Sequence, residues 1–302
     1  MLRLRASDGF ELGAVLHEPA PGTPASAPRH AVVVHGGAGI AAARYRRFAG
    51  YLAQHGIPAL TYDYRGVGLS RPESLRGLRA TVEDWAEYDS AAALAWMRQR
   101  FPSAELVGVA HSVGAMLLGG AANAGEHARL VLVGAHTGYY GDYAPRYRVP
   151  MAIVWHGVMP ALTLLSGYFP ASRLGLGEDL PAGIAMQWAR RWRGEVRPAG
   201  KEPARGVSAH SRTHMLLDRC AALARPAVVV SISDDAFATP RSTARLLSYY
   251  PRLSIAQRML FTPADAGVAS IGHFGFFAQR GAALWPKLLA EIQTASRSSG
   301  VS

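Results

Sequence analysis

The run Ala31-Val32-Val33-Val34 constrains the fold more than any other stretch of the chain. It is continuously apolar and mostly β-branched. A strand with one face in water would alternate polar and apolar residues, so this run reads as a strand buried on both faces. Such strands belong to sheets covered by helices on either side. The flanking sequence supplies those helices. Tyr45, Phe48, Ala49 and Leu52 share one helical face, and Gly56 offers a C-terminal stop. Residues 57–64 form the next strand. Thr81 and Asp84 make a capping-box pattern ahead of a helix whose Val82, Trp85 and Ala92 share a face. Strands at 105–109 and 130–133 flank a helix of small residues at 113–122. The pattern resumes with a strand at 227–231, a helix at 242–250, a strand around 255–261 and a last helix over 273–294, with a break at Pro286. The opening residues read as a hairpin turning at Ser7-Asp8-Gly9. Repeated strand–helix alternation predicts an α/β fold with a mainly parallel sheet.

Between Thr137 and Arg225 the alternation stops for longer than an ordinary connection allows. The expected organisation is therefore a core of residues 1–136 and 226–296, an inserted cap of 137–225, and a disordered tail of 297–302. An insertion after a strand's carboxyl end lies over the crevice where such sheets bind ligands. It carries many aromatic residues, among them Tyr139, Tyr143, Trp155, Phe169, Trp188 and Trp192. Rings like these build apolar pockets and equally build ordinary subdomain cores. Residues 151–169 are nearly free of charge and approach membrane-spanning length, but His156, Gly157, Pro160 and Gly167 interrupt them. They read as a buried or cleft-lining segment, and no stable membrane insertion is expected.

The chemistry concentrates at Val107-Gly108-Val109-Ala110-His111-Ser112-Val113-Gly114-Ala115. A strand ends, a serine follows between small residues two positions away on either side, and a helix begins. This is the G-x-S-x-G nucleophile elbow with alanine in the first glycine position. Small flanking residues suit the sharp turn that lifts the serine above the sheet. A serine here also serves plain N-capping. A seryl hydroxyl needs a base, and the base needs an orienting acid. Ser231-Ile232-Ser233-Asp234-Asp235 places two carboxylates past a strand's end, and Ile271-Gly272-His273-Phe274-Gly275 places a histidine before the last helix. Asp234, the first to follow the strand, is the preferred acid, and Asp235 is its competitor. His35-Gly36-Gly37-Ala38-Gly39 follows the first core strand; its glycines let backbone N–H groups reach a developing oxyanion. The expected donors are the N–H groups of Gly37 and Val113. The same loop lacks the Gly-Lys-Ser/Thr of a phosphate-binding loop and the spacing of a dinucleotide fingerprint. Asp63 and Arg65, in the loop after the next strand, read as anchors.

HGGAG, YDYRGVGLS, AHSVG, SDDAF and GHFGFF, in that order, resemble the α/β-hydrolase superfamily, in particular the bacterial predicted α/β hydrolases related to the serine aminopeptidase and monoglyceride-lipase-like branch. The match covers the chain except 137–225. The resemblance implies a Ser–Asp–His triad of Ser112, Asp234 and His273. A serine at the elbow argues against the epoxide-hydrolase and dehalogenase members, which use an aspartate. The expected function is hydrolysis of a carboxylic ester with an apolar acyl or aryl group, through an acyl-enzyme. An amidase or aminopeptidase, or a non-catalytic binding protein on the same fold, is the alternative.

Bulk properties set limits around this reading. The net charge is +11, yet only Lys201 and Lys287 are lysines, and the densest basic cluster, Arg190-Arg191-Trp192-Arg193, is soon followed by Glu195. No nucleic-acid partner is expected; a small-molecule substrate is. The one cysteine, Cys220, excludes an internal disulfide and a cysteine-rich metal site. No metal and no cofactor are expected. The first residues lack a signal-peptide core, so a cytoplasmic location is expected.

Overall fold

The computed structural model describes residues 1–20, 28–190 and 211–294. Eight strands form one sheet: β1 (Leu2–Arg5), β2 (Glu11–His17), β3 (His30–His35), β4 (Ala59–Tyr62), β5 (Glu105–His111), β6 (His127–Val133), β9 (Pro226–Ile232) and β10 (Ser254–Phe261), with β7 (Tyr168–Phe169) and β8 (Leu180–Pro181) pairing separately as a small ribbon. The order is β1-β2-β4-β3-β5-β6-β9-β10. Only β1 and β2 run antiparallel to their neighbours; β3 to β6, β9 and β10 are parallel. The expected hairpin and the expected parallel core are both present.

Burial explains the apolar runs. Val32 and Val34 point into one core with Phe48, Leu52 and Trp285, while Ala31 and Val33 point into the other with Trp85, Leu94 and Leu117. Each fully buried aliphatic side chain contributes roughly 1.5–3 kcal/mol. The capping box forms as expected: Thr81 Oγ1 accepts from the Asp84 N–H, and Asp84 accepts from the Thr81 N–H at 2.7 Å. The last helical stretch departs from expectation. It breaks into Gly272–Gly275, a 3-10 turn Gln279–Leu284 and the helix Trp285–Gln293. Pro286 starts that final helix rather than breaking it, because the first turn needs no proline N–H.

The insertion divides in two. A helix spanning Pro145–Ser166, with a π-helical turn at Val154–Val158, lies with β7, β8 and the helix Ala182–Ala189 above the carboxyl ends of the strands. The helix Arg212–Ala222 does not. It packs on the helix Gly114–Gly120, where Arg219 bonds the Gly120 carbonyl at 3.1 Å and Cys220 is fully buried. Residues 212–222 therefore sit in the helical layer of the core, which narrows the expected cap. The cluster at 191–193 and the tail 297–302 lie outside the described residues.

The segment expected to be buried or cleft-lining is only half of that. Met151, Val154, Trp155 and Met159 line the cleft, but Ile153, Leu164 and Leu165 are exposed. Only 11% of the apolar stretch is buried, and by length and composition this helix is able to cross a membrane.

Candidate active site

The elbow places Ser112 by strain. β5 ends at His111, the helix starts at Gly114, and Ser112 between them has φ 59°, the only positive φ outside glycine among the described residues. That conformation costs about 1–3 kcal/mol and persists only where the surroundings enforce it. The surroundings are tight. A Cβ on Gly114 would lie 2.4 Å from the carbonyl oxygens of both His35 and Gly36. Ala110, where the motif has glycine, is fully buried, and its methyl leaves the turn intact.

Ser112 Oγ lies 3.0 Å from His273 Nε2. His273 Nδ1 lies 2.7 Å from Asp235 Oδ2. The acid beside the histidine is Asp235, not the preferred Asp234. A turn closes at the strand's end, where the Asp235 N–H donates to the Ile232 carbonyl at 3.1 Å. It directs Asp235 inward and Asp234 toward the backbone of the histidine loop. There Asp234 accepts from the N–H groups of Ile271 and Gly272, each at 2.9 Å. Burial by itself would raise the Asp235 carboxyl; the His273 ring and the N–H groups of Ala238 and Phe237 outweigh it and bring the pKa down to about 2. Asp235 is thus an anion at neutral pH and fixes the proton of His273 on Nδ1, leaving Nε2 as the acceptor for the seryl proton.

Gly37, one of the two expected oxyanion donors, has its N–H already engaged by the Tyr45 hydroxyl at 2.9 Å. Tyr45 continues to His111 Nδ1 at 2.9 Å, and His111 Nε2–H donates to the His273 carbonyl at 3.0 Å. A carbonyl only accepts, so the polarity is fixed along the whole chain from Gly37 to His273. Among the described residues, no hydrogen bond engages the N–H of Ala38 or of Val113, and both residues line the cavity beside Ser112. Of the two expected donors, Val113 lines the cavity with its N–H unengaged, and Gly37 has its N–H turned to Tyr45.

His136, unassigned by the sequence, also reaches the serine: its Nε2 lies 2.9 Å from Ser112 Oγ. The histidine follows β6 by three residues, and that position past a core strand's carboxyl end was the available signal. Asp63 and Arg65 prove to be anchors. Asp63 accepts from Ala42 and Leu69, and Arg65 bridges Asp89 and Asp8. Ser112, His136 and His273 stand in a cavity of about 500 Å³ whose apolar walls include Met151, Trp155, Phe169, Leu180, Trp188 and Phe237. Among the described residues, Arg44 and Glu178 are its charged members.

The family described as serine aminopeptidase, S33, matches residues 26–249. No curated protein matches the chain in sequence. Among solved structures, a soluble variant of monoglyceride lipase from Saccharomyces cerevisiae superposes with TM-score 0.62 at 14% identity, covering 96% of this chain and 94% of that one. The esterase EaEST from Exiguobacterium antarcticum gives TM-score 0.58 at 14% identity, covering 97% and 99%. The monoacylglycerol lipase from Paleococcus ferrophilus gives 0.53 at 13% identity, covering 93% and 98%. At these identities the likeness concerns the fold.

Proposed function

We propose, for a chain that belongs to the serine aminopeptidase S33 family and has the α/β-hydrolase fold, that it hydrolyses carboxylic esters with an apolar acyl or aryl group. One observation carries the proposal: the unbroken series Ser112 Oγ, His273 Nε2, His273 Nδ1 and Asp235 Oδ2, at 3.0 and 2.7 Å, on the floor of an apolar cavity.

His273 takes the proton of Ser112 as Oγ attacks the ester carbonyl. Asp235 holds the ring and balances the imidazolium charge. The N–H groups of Ala38 and Val113 donate to the developing oxyanion. The imidazolium returns its proton to the departing alcohol, and water, activated by the same histidine, then releases the acid. The acyl group lies along the walls formed by Met151, Trp155 and Phe169.

The test is turnover of nitrophenyl acyl esters by the wild-type chain and by Ser112→Ala. Activity is expected to vanish in the variant with melting temperature unchanged, and retained activity overturns the reading. Labelling by a fluorophosphonate, lost in the same variant, separates an enzyme from a non-catalytic binding protein.

An aminopeptidase with the same triad is the second reading. Glu178, the only carboxylate among the described residues that line the cavity, favours it, since an α-ammonium group needs such a partner. Faster turnover of aminoacyl nitroanilides than of the matched esters decides for it.

A further inference from the structure

Ser112 Oγ stands between two imidazoles, His273 at 3.0 Å and His136 at 2.9 Å. Their rings lie 5.0 Å apart, centre to centre. Only one of them is able to act as a base. His273 carries its proton on Nδ1, facing Asp235. His136 is pinned the other way round: its Nδ1 accepts the Gly138 N–H at 2.8 Å, so its proton is on Nε2, toward the serine. The pin is itself built in. Gly138 has φ +80°, and a Cβ there would meet the Trp188 ring at 2.5 Å. Behind it, Thr243 Oγ1 bonds the Ala135 carbonyl at 3.1 Å, and Tyr143 packs edge-on against the buried His136 ring at 5.6 Å.

We infer that His136 is a further catalytic residue, a fixed Nε2–H donor that stabilises the seryl oxygen as the acyl group leaves it. The inference rests on the serine-hydrolase reading. In the resting site the Ser112 O–H donates to His273 and one Oγ lone pair accepts from His136. During acylation the hydroxyl proton passes to His273 and another Oγ lone pair forms the bond to the acyl carbon. During deacylation water adds to that carbon and gives a proton to His273. The C–Oγ bond then breaks, its electron pair stays on Oγ, and His273 returns the proton there. His136 transfers nothing; its N–H meets the charge that gathers on Oγ as the bond breaks. A donor in that place stabilises serine as a leaving group and also withdraws density from serine as a nucleophile. Its removal therefore slows deacylation selectively.

Pre-steady-state release of nitrophenolate measures both steps. For His136→Phe, which keeps a ring against Tyr143, the acylation burst is expected within about threefold of wild type, with the steady-state rate about 10- to 100-fold lower, the range for one lost hydrogen bond to a charged group. Intact-mass analysis then shows the acylated chain accumulating. His136→Gln, whose amide retains a donor, is expected to recover most of the steady-state rate. Equal slowing of both steps, or no slowing in either variant while fluorophosphonate labelling persists, overturns the role of His136. Absence of labelling and of turnover in the wild-type chain overturns the underlying serine-hydrolase reading instead, so the two failures are distinct.

Discussion

Asp234 and Asp235 are neighbours in sequence and serve His273 in different ways. Asp235 touches the ring, and Asp234 ties the N–H groups of Ile271 and Gly272 in the loop before it. Asp235→Asn leaves the shape intact but offers the ring a group that no longer favours the required tautomer. An analogous change in a serine protease triad lowers kcat about 10⁴-fold, and a loss of about 10³- to 10⁴-fold is expected here. Asp234→Asn retains an oxygen acceptor and is expected to keep kcat within about tenfold. Measured kcat for the two variants on one nitrophenyl ester checks this; the reverse ranking makes Asp234 the acid. Both carboxylates follow the same strand, and strand patterning does not tell which one a turn directs inward. The single peptide step between them is decided by a hydrogen bond to Ile232.

At the scale of elements, the elbow is a junction of three pieces: β5, the helix Gly114–Gly120 and the loop after β3. Gly114 sits where that helix presses on the carbonyls of His35 and Gly36. Gly114→Ala puts a methyl 2.4 Å from backbone oxygen, where neither side has a flexible group to yield. Overpacking of this kind costs typically about 1–3 kcal/mol. A lower melting temperature and loss of ester turnover are expected together, and a variant with wild-type melting and activity contradicts the packing described. The cap helix is a different case. Its apolar residues were visible as a run without charge, but the run does not say which side faces the cleft. One face covers the cavity through Met151, Trp155 and Met159, while Leu164 and Leu165 point outward.

Across the whole molecule, several histidines are buried as neutral groups. Burial holds His35 well below its usual range, His127 at about 4, and His111, with the nearby His273 adding to the effect, at about 3. In the unfolded chain these rings titrate near 6.5. Above that pH both states are neutral and the stability is fully present. Below it the unfolded chain binds protons that the fold refuses, so stability is lost as pH falls toward each folded pKa, at about 1.4 kcal/mol per pH unit for each ring. Asp235 acts in the same direction lower down: its contribution is present above the usual 3.8 and is lost as pH falls toward about 2. Melting temperature is expected to fall steadily from pH 6.5 to pH 4.5. A flat profile over that interval contradicts the neutral buried state of these rings.

Local physics made the sheet class legible in the sequence, and with it the candidate residues Ser112 and His273. Continuous β-branched runs require two buried faces, the elbow's small residues answer a local steric demand, and the histidine stands between glycines at the head of a helix. Tertiary structure alone decided the rest. The contact of His273 with Asp235 instead of Asp234, the Tyr45 hydroxyl on the Gly37 N–H, the second imidazole of His136, and the helix Arg212–Ala222 in the core layer all depend on contacts between residues far apart in the chain. Periodicity reports which face of an element is buried; it carries no information on which atom of a distant loop a side chain will meet.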